Sequence, residues 1–278
     1  MLNTKGTTVL SHHLNIVCDD VWNRLGYSKK YSISQGEETI TDNLLLYLAL
    51  QNLTNISIIQ TPKNKEAIKG TDWEWWIGNR RSGYLRYAVQ AKKLDFTTGR
   101  YESLNHKVGK GASAKYQHNI LEAYSNANNA IPLYAFYNHL DPSDYPATWN
   151  CSLPIDYPKF GCTVTPLKNV KLAISKRGWR TFDKIHQFSE TIPLRCLAVC
   201  PNIAFVSTSA ISSKVYIPRF DLEATVYQSP WGILSDIGHI TDFKDLPDSL
   251  YDHNSGYYPK KILIIETSDD NLPSCAQS

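Results

Sequence analysis

The stretch GTDWEWWIGNRRSGYLRYAVQAKKLDF, residues 70–96, decides the fold that this sequence predicts. Aromatic residues dominate its first part, 71–78, and apolar residues are interleaved with polar ones in its last part, 84–94. The residues between them, 79–83, are mostly polar and end in glycine, which is typical of a turn. The stretch therefore predicts two strands joined as an antiparallel β-hairpin.

This hairpin would bring four polar side chains together. Side chains alternate between the two faces of a strand, so Asp72 and Glu74 share one face of the first strand. By the same rule Gln90 and Lys92 share one face of the second strand. The opposite face of the first strand holds three residues that we predict to be core: Trp73, Trp75 and Ile77.

Other predicted elements flank the hairpin. Ser34 and Glu37 have the S-x-x-E spacing of a capping box, and the apolar residues after them recur at helical intervals, which predicts a helix over 36–51. We also predict a strand at 56–61, a helix at 113–129 and a strand at 131–137. The expected fold is α/β, with a core at 34–138 in the order helix, three strands, helix, strand.

The two ends of the chain carry weaker signals. Residues 1–33 are predicted to be an N-terminal segment containing a short helix or loop. Prolines interrupt the chain after residue 138, so residues 139–278 are expected to form an irregular C-terminal extension of unassigned role. The short strand-like runs predicted there are 203–207, 214–217 and 261–266.

Composition restricts the class of protein. A chain of 278 residues with 42% hydrophobic and 20% charged residues can bury a core. Its formal charge of +3 is too small to identify a nucleic-acid-binding protein from charge alone. No apolar run approaches the roughly 18 residues that cross a bilayer, so we expect no membrane partner and a cytoplasmic location. The sequence lacks Walker-type and dinucleotide-type glycine motifs, which argues against nucleotide-dependent enzymes.

The cysteines give no clear metal motif. Six cysteines are irregularly spaced, and reduced, buried thiols are the favoured interpretation. Zinc is the less favoured alternative because no pair has the usual C-x₂-C spacing. The four cysteines that this alternative would use are Cys151, Cys162, Cys196 and Cys200.

The hairpin also carries a family resemblance. Asp72 is followed, after seventeen residues, by Gln90-Ala91-Lys92, and this pattern resembles the PD-(D/E)XK nuclease superfamily in its variant with Gln at the second acidic position. The predicted order of elements over 34–138 also resembles the restriction-endonuclease-like core of that superfamily. One departure is Thr71, where the superfamily often has proline. The resemblance implies a nuclease, with endonuclease activity favoured, that depends on Mg²⁺ or Mn²⁺ and acts on nucleic acid, DNA before RNA. It also implies a bacterial or phage-defence setting and a homodimer.

The resemblance assigns roles to the motif residues. Asp72 is expected to be the main metal ligand, with the amide of Gln90 and the backbone carbonyl of Ala91 beside it. Lys92 is expected to orient or deprotonate the attacking water, or to neutralise charge on the phosphate.

Additional carboxylates would balance the charge of the ion, because Gln90 carries none. Glu74 lies on the hairpin, and Glu37 and Glu38 begin the preceding helix, where the helix dipole favours acidic residues. The helical period does not decide whether Glu37 or Glu38 points towards the hairpin.

Substrate contacts are predicted around this site. Basic residues near the hairpin would neutralise phosphates, and Trp76 would stack on a base because it shares the acidic face. Gln117, one helical turn after Ser113, would face the cleft. The predicted substrate contacts are Arg80, Arg81, Lys93, Trp76 and Gln117, with further basic residues at Arg100, Lys107, Lys110 and Lys115.

Two other interpretations stay open. An inactive nucleic-acid-binding or regulatory module would keep the fold and lose turnover, and the Gln at position 90 favours it. A structural or protein-interaction scaffold would use the polar face of the hairpin only as a solvated surface, with the tryptophans as core.

Overall fold

The computed structural model describes residues 5–60, 71–146, 149–151, 154–199, 214–230 and 261–267. In this part of the chain the α-helices are α1 (Lys5–Tyr31), α2 (Glu37–Leu50), α3 (Gln117–Ala127), α4 (Leu167–Ser175), α5 (Phe182–His186) and α6 (Cys196–Val199). The strands are β1 (Ile56–Gln60), β2 (Trp73–Asn79), β3 (Gly83–Lys93), β4 (Lys107–Val108), β5 (Lys115–Tyr116), β6 (Ile131–Tyr137), β7 (Cys162–Pro166), β8 (Ile192–Pro193), β9 (Lys214–Ile217), β10 (Leu222–Tyr227) and β11 (Lys261–Glu266).

Nine of the described strands form one mixed sheet, so the protein is mixed α/β, as predicted. Most of the sheet has the order β1-β11-β2-β3-β6-β7-β8, and β10 joins β3 to β9. Strands β2 and β3 are antiparallel, with Trp73 opposite Val89. Strands β3 and β6 are parallel, with Gln90 opposite Tyr134. The predicted hairpin is therefore confirmed. The predicted helix, three strands, helix and strand occur in that order over 34–138, but two short strands that were not predicted, β4 and β5, lie between β3 and α3.

The described strands after residue 138 belong to the same sheet, which corrects the prediction of an irregular extension. Strand β11 lies between β1 and β2, antiparallel to the first and parallel to the second. Strands β7 and β8 extend the sheet beyond β6. Residue 138 is therefore not a boundary of this sheet. The predicted strand at 203–207 lies outside the described residues.

The N-terminal prediction also needs correction. Residues 5–31 form a single helix of 27 residues, α1, rather than a short helix or loop. The predicted capping box does not form, because α2 begins at Glu37 with Gly36 at its N-cap and without a side-chain cap. None of the helices in the described ranges combines the length and the apolar character that crossing a bilayer requires.

The sheet is buried on both faces. Helices α1 and α2 cover one face, where Trp73, Trp75 and Ile77 lie in the core as predicted. The second core, on the other face, includes Tyr134 of β6 and residues of α3, α4 and α5. Four leucine and isoleucine side chains of α2 are buried, each contributing about 1.5–3 kcal/mol: Ile40, Leu44, Leu45 and Leu48.

A buried hydrogen bond fixes the position of α2 over the sheet. The hydroxyl oxygens of Thr41 and of Tyr137 in β6 lie 2.6 Å apart. This contact is one turn after the start of α2, so it holds the N-terminus of the helix beside the ends of β3 and β6.

A buried histidine, His186, is expected to make the stability of the fold sensitive to acid. His186 lies in α5, where Nδ1 donates a 2.8 Å hydrogen bond to the carbonyl of Phe182 and Nε2 accepts one of 2.8 Å from the Thr163 hydroxyl. Burial lowers the pKa of His186 to about 4, and the hydrogen bond to Phe182 offsets only part of this effect. The folded protein therefore favours the neutral ring.

We expect the free energy of unfolding to fall as the pH decreases from about 6.5 to 4. In this window the unfolded chain binds a proton at His186, with an ordinary pKa near 6.5, and the folded chain does not. The difference lowers stability by about 1.4 kcal/mol per pH unit, to a total of roughly 3 kcal/mol. Urea unfolding of wild type and His186→Asn between pH 4.5 and 7.5 measures it. The variant should have the shallower dependence on pH, and equal slopes would contradict the prediction.

Candidate functional site

Asp72 meets the second strand of the hairpin, as the pattern predicts. Its backbone N–H donates to the carbonyl of Val89 (3.1 Å), which fixes the residue at the start of β2. Its Oδ2 accepts hydrogen bonds from the side-chain amide of Gln90 and, at 2.9 Å, from the backbone N–H of Ala91. Ala91 therefore contacts the carboxylate of Asp72 through its backbone N–H, whereas the predicted metal contact is through its carbonyl.

Glu37 joins the site from α2. Its Oε2 lies 3.6 Å from Nζ of Lys92. Its Oε1 accepts hydrogen bonds from the backbone N–H of Lys93 (2.9 Å) and the hydroxyl of Ser103 (3.2 Å). The side chain of Lys92 is only 4% exposed, whereas that of Glu37 is 30% exposed. The carboxylate thus holds a buried ammonium at the inner end of a partly open site.

The neighbouring glutamate lies elsewhere. Glu38 influences Lys261 at the start of β11: burial lowers the pKa of Lys261, and the charge of Glu38 raises it in part. Lys261 also forms an ion pair with Asp42 of α2. The structure thus brings Glu37 to Lys92 and places Glu38 near a different lysine.

Glu74 is committed to an internal ion pair. Its Oε1 accepts hydrogen bonds from Nη2 (2.7 Å) and Nε (3.0 Å) of Arg86 and from the Tyr124 hydroxyl. Its Oε2 accepts one of 3.3 Å from the indole of Trp76. Burial by itself lowers the pKa of Arg86, but the charge of Glu74 raises it to a value above the usual one. This network engages both carboxylate oxygens of Glu74, which argues against its predicted role as a metal ligand.

Trp76 is buried and does not present a ring for base stacking. It is 1% exposed and packs against Tyr227, with ring centroids 5.1 Å apart. The guanidinium of Arg86 lies 5.2 Å from its ring. The prediction of Trp76 as a stacking surface is wrong, because β10 and Arg86 cover this part of β2.

The two arginines of the hairpin turn lie far from Asp72. Arg80 and Arg81 follow the last residue of β2, whereas Asp72 precedes its first. Eight residues of antiparallel strand span roughly 27 Å. Arg80 and Arg81 therefore do not join the site. Lys93 does, because its Nζ donates to the carbonyl of Gln35 (2.7 Å), two residues before Glu37.

Three buried polar atoms of predicted site residues or their sheet neighbours have no hydrogen-bond partner among the described residues: Oε1 of Gln90, Oε1 of Gln117 and the hydroxyl of Tyr134. Tyr134 is opposite Gln90 in the sheet. Burial raises the pKa of Tyr134, and the charges of Asp72 and Glu37 raise it further. A buried polar atom without a partner costs about 1–3 kcal/mol, so these atoms are suited to contact a bound ligand.

Gln117 is connected by a hydrogen bond to the loop that carries Ser103. Its backbone N–H donates to the carbonyl of His106 (2.9 Å), and His106 follows the turn from which Ser103 reaches Glu37. Gln117 is also the first residue of α3, and it is buried. The structure therefore ties the predicted auxiliary glutamine to the loop that carries Ser103, and its contact with substrate stays a prediction.

Neither Tyr134 nor Ser103 is among the site residues that the sequence predicts. A signal for Tyr134 was present, because a tyrosine in a predicted buried strand needs a partner for its hydroxyl. No local pattern marks Ser103, which reaches Glu37 only through the path of the loop.

The donors of this site suit a hard divalent cation. Asp72, Glu37 and the orphan amide oxygen of Gln90 are the oxygen ligands that Mg²⁺ and Mn²⁺ prefer. Within the described ranges, no group of three or more His, Cys, Asp or Glu side chains could hold an ion. An ion here would therefore depend on the amide of Gln90 together with the carboxylates.

Three of the four cysteines of the zinc alternative lie within the described residues. The sulfur atoms of Cys151 and Cys196 lie 3.6 Å apart. The thiol of Cys18 contacts the carbonyl of Cys162 in another part of the core. Cys200 lies outside the described residues.

The fold and the site define a mixed α/β protein in which a carboxylate, an amide and a lysine meet at the ends of two central strands. The chain belongs to the family of unknown function DUF6615, whose model matches residues 11–269. The match extends from α1 to β11, so it includes every strand of the sheet. No curated protein matches the sequence.

Proposed function

We propose that this protein is a metal-dependent nuclease that hydrolyses phosphodiester bonds in nucleic acid, with DNA as the favoured substrate. The observation that carries the proposal is the convergence of Asp72, Gln90, Lys92 and Glu37 from three elements of the fold. A solvated hairpin face would leave these side chains pointing into water, whereas Gln90 and Lys92 are 2% and 3% exposed.

The arrangement of strands supports a PD-(D/E)XK-like core. The hairpin β2–β3 is followed by α3 and by β6, which is parallel to β3. This order resembles that superfamily, and β11 between β1 and β2 is an addition to it. The defence setting, the homodimer and the cytoplasmic location belong to the same proposal and rest on resemblance and composition alone.

Different residues of the site would bind the metal ion, orient the attacking water and hydrogen-bond to it. Asp72, Gln90 and Glu37 would hold Mg²⁺ or Mn²⁺, which supplies Lewis acidity to the phosphate oxygens when bound. Lys92, held by Glu37, would orient the attacking water and neutralise negative charge that develops on the phosphate. The hydroxyl of Tyr134 and the amide of Gln117 would complete the hydrogen bonds of that water.

One observation favours the inactive module as a second candidate. The amide of Gln90 contacts Asp72 directly, and this contact occupies a carboxylate oxygen that a metal would use. Such a protein would still bind nucleic acid and would not cut it.

Replacement of Lys92 by Met tests the nuclease proposal. We expect cleavage of DNA with Mn²⁺ to fall by about 10²–10⁴-fold, the contribution of a positioned acid–base group. The measurement is the initial rate of cleavage, with and without EDTA, and binding of the same DNA in EDTA by fluorescence anisotropy. Binding should change much less than cleavage.

Lys159→Met is the matched control for this test. Lys159 is also a largely buried lysine in an ion pair, with Asp19 at 2.5 Å, but it packs against α1. Its variant should cleave at the wild-type rate. Equal cleavage by Lys92→Met and wild type, or cleavage that persists in EDTA, would overturn the proposed site. Binding by wild type without any cleavage would favour the inactive module.

A further inference from the structure

Exposed tyrosines lie at the C-terminal end of α1, a few residues before the backbone carbonyl that contacts Lys93. Tyr27 and Tyr31 are each 61% exposed, and their ring centroids are 6.5 Å apart. Nζ of Lys30 lies 5.3 Å from the ring of Tyr31. Two neighbouring exposed rings beside a cation offer faces on which a base can stack and a charge that can meet a phosphate.

A second tyrosine–lysine pair occurs on the small hairpin of β4 and β5. Nζ of Lys107 lies 4.6 Å from the ring of Tyr116. The same ring stacks on His118, with centroids 5.2 Å apart and an angle of 20° between the planes. Lys107 is exposed and Tyr116 is partly exposed, so this pair is also open to solvent.

Two different segments of the chain connect the two pairs to residues that contact Glu37 and Lys93. Tyr31 is four residues from Gln35, whose carbonyl binds Lys93, and four residues of chain span at most about 14 Å. Tyr116 immediately precedes Gln117, which is tied through the turn at residues 103–106 to the same carboxylate. Each pair therefore lies within a few residues of a contact to the site.

We propose that a single-stranded nucleic acid crosses the site between these pairs, with bases stacked on the tyrosines and phosphates beside the lysines. The inference rests on the proposed nuclease function and names its substrate class. Aromatic rings that alternate with cations are the usual binding surface for single strands, since each base has a face that can stack. The bases of a duplex are already stacked on one another and cannot reach exposed rings. Trp76 cannot serve this purpose because it is buried.

The experiment measures binding of fluorescein-labelled dT15 and rU15, and of a 15-base-pair DNA duplex, by fluorescence anisotropy in EDTA. For wild type we expect at least one single strand to bind more tightly than the duplex. The double variant Tyr27→Ala/Tyr31→Ala and the single variant Tyr116→Ala should each bind that strand about tenfold more weakly or worse. The corresponding phenylalanine variants should bind within about twofold of wild type, because phenylalanine keeps the stacking face.

Tyr216→Ala is the matched control, since Tyr216 is 51% exposed on β9 and contacts Asp221. It should bind like wild type. Salt dependence is a second readout: Lys30→Met and Lys107→Met should each reduce the slope of log affinity against log salt by about 0.7.

The inference is overturned if the alanine variants bind as wild type does, if phenylalanine and alanine variants lose affinity equally, or if the duplex is the tighter ligand. These outcomes are separate from the fate of the proposed function. If the tyrosine variants bind weakly and the wild-type protein never cleaves, the proposed binding surface is supported and the proposed nuclease activity is overturned. If cleavage depends on Lys92 and the tyrosine variants bind as wild type does, the nuclease activity is supported and the proposed binding surface is overturned.

Discussion

Replacement of Asp72 by Asn is expected to reduce metal-dependent cleavage by roughly 10³-fold or more. A bound metal supplies several kcal/mol of transition-state stabilisation, and each 1.36 kcal/mol corresponds to a factor of ten in rate. Asp72 lies at the centre of the contacts with Gln90 and Ala91, and Asn keeps its shape without its charge. On the proposed function, a hard divalent cation would then lose its principal anionic ligand.

Two measurements check this expectation. The first is the initial rate of DNA cleavage with Mn²⁺, and the second is binding of Mn²⁺ itself by calorimetry, which does not depend on turnover. Asp20→Asn is the control, because Asp20 is a partly exposed aspartate that pairs with Arg24 on α1. The control should match wild type in both. An Asp72→Asn protein that still binds Mn²⁺ and cleaves within a few-fold of wild type would show that the site lies elsewhere.

Replacement of Arg86 by Met is expected to destabilise the fold by about 3–5 kcal/mol, the usual cost of removing one partner of a buried ion pair. The side chains of Arg86 and Glu74 are only 11% and 2% exposed. Without the guanidinium, the carboxylate of Glu74 would keep hydrogen bonds from Tyr124 and Trp76 but would have no countercharge. Urea or guanidinium unfolding at pH 7 measures the change.

The double variant Glu74→Gln/Arg86→Met separates the buried charge from the loss of packing. It removes both charges, so it should recover a large part of the lost stability. Arg24→Met is the control for a partly exposed pair, with Asp20 at 2.6 Å, and should change stability by no more than about 1 kcal/mol. A loss below about 1 kcal/mol for Arg86→Met, or a double variant as unstable as the single one, would contradict the assignment.

The contrast between Asp72 and Glu74 shows where sequence reasoning reached its limit. Both acidic residues lie two apart on one strand, and the sequence placed them on one face. The partner of Glu74 is Arg86, and the period of the strand gives no sign that this arginine would satisfy the carboxylate. Asp72 lies at the end of the strand, where Gln90 and Ala91 meet it. Their different roles follow from position along the strand, because both side chains lie on the same face of the sheet.

The choice between Glu37 and Glu38 has a similar cause. The helical period leaves both residues near the apolar sector, as the sequence indicates. Packing of α2 against the sheet, with Thr41 bound to Tyr137, turns Glu37 towards Lys92. Glu38 instead lies near Lys261, which belongs to a strand more than 200 residues later in the sequence.

The sequence alone determined the local elements: the hairpin of β2 and β3, the helix α2, the strand β6, and the core role of Trp73, Trp75 and Ile77. It could do so because hydrophobic period and turn residues act over a few neighbouring positions. The tertiary structure alone decided that β11 inserts between β1 and β2, that Tyr134 reaches the site, and that β10 covers Trp76. Pairing between distant segments depends on which surfaces meet when the chain packs, and no short stretch of sequence encodes that choice.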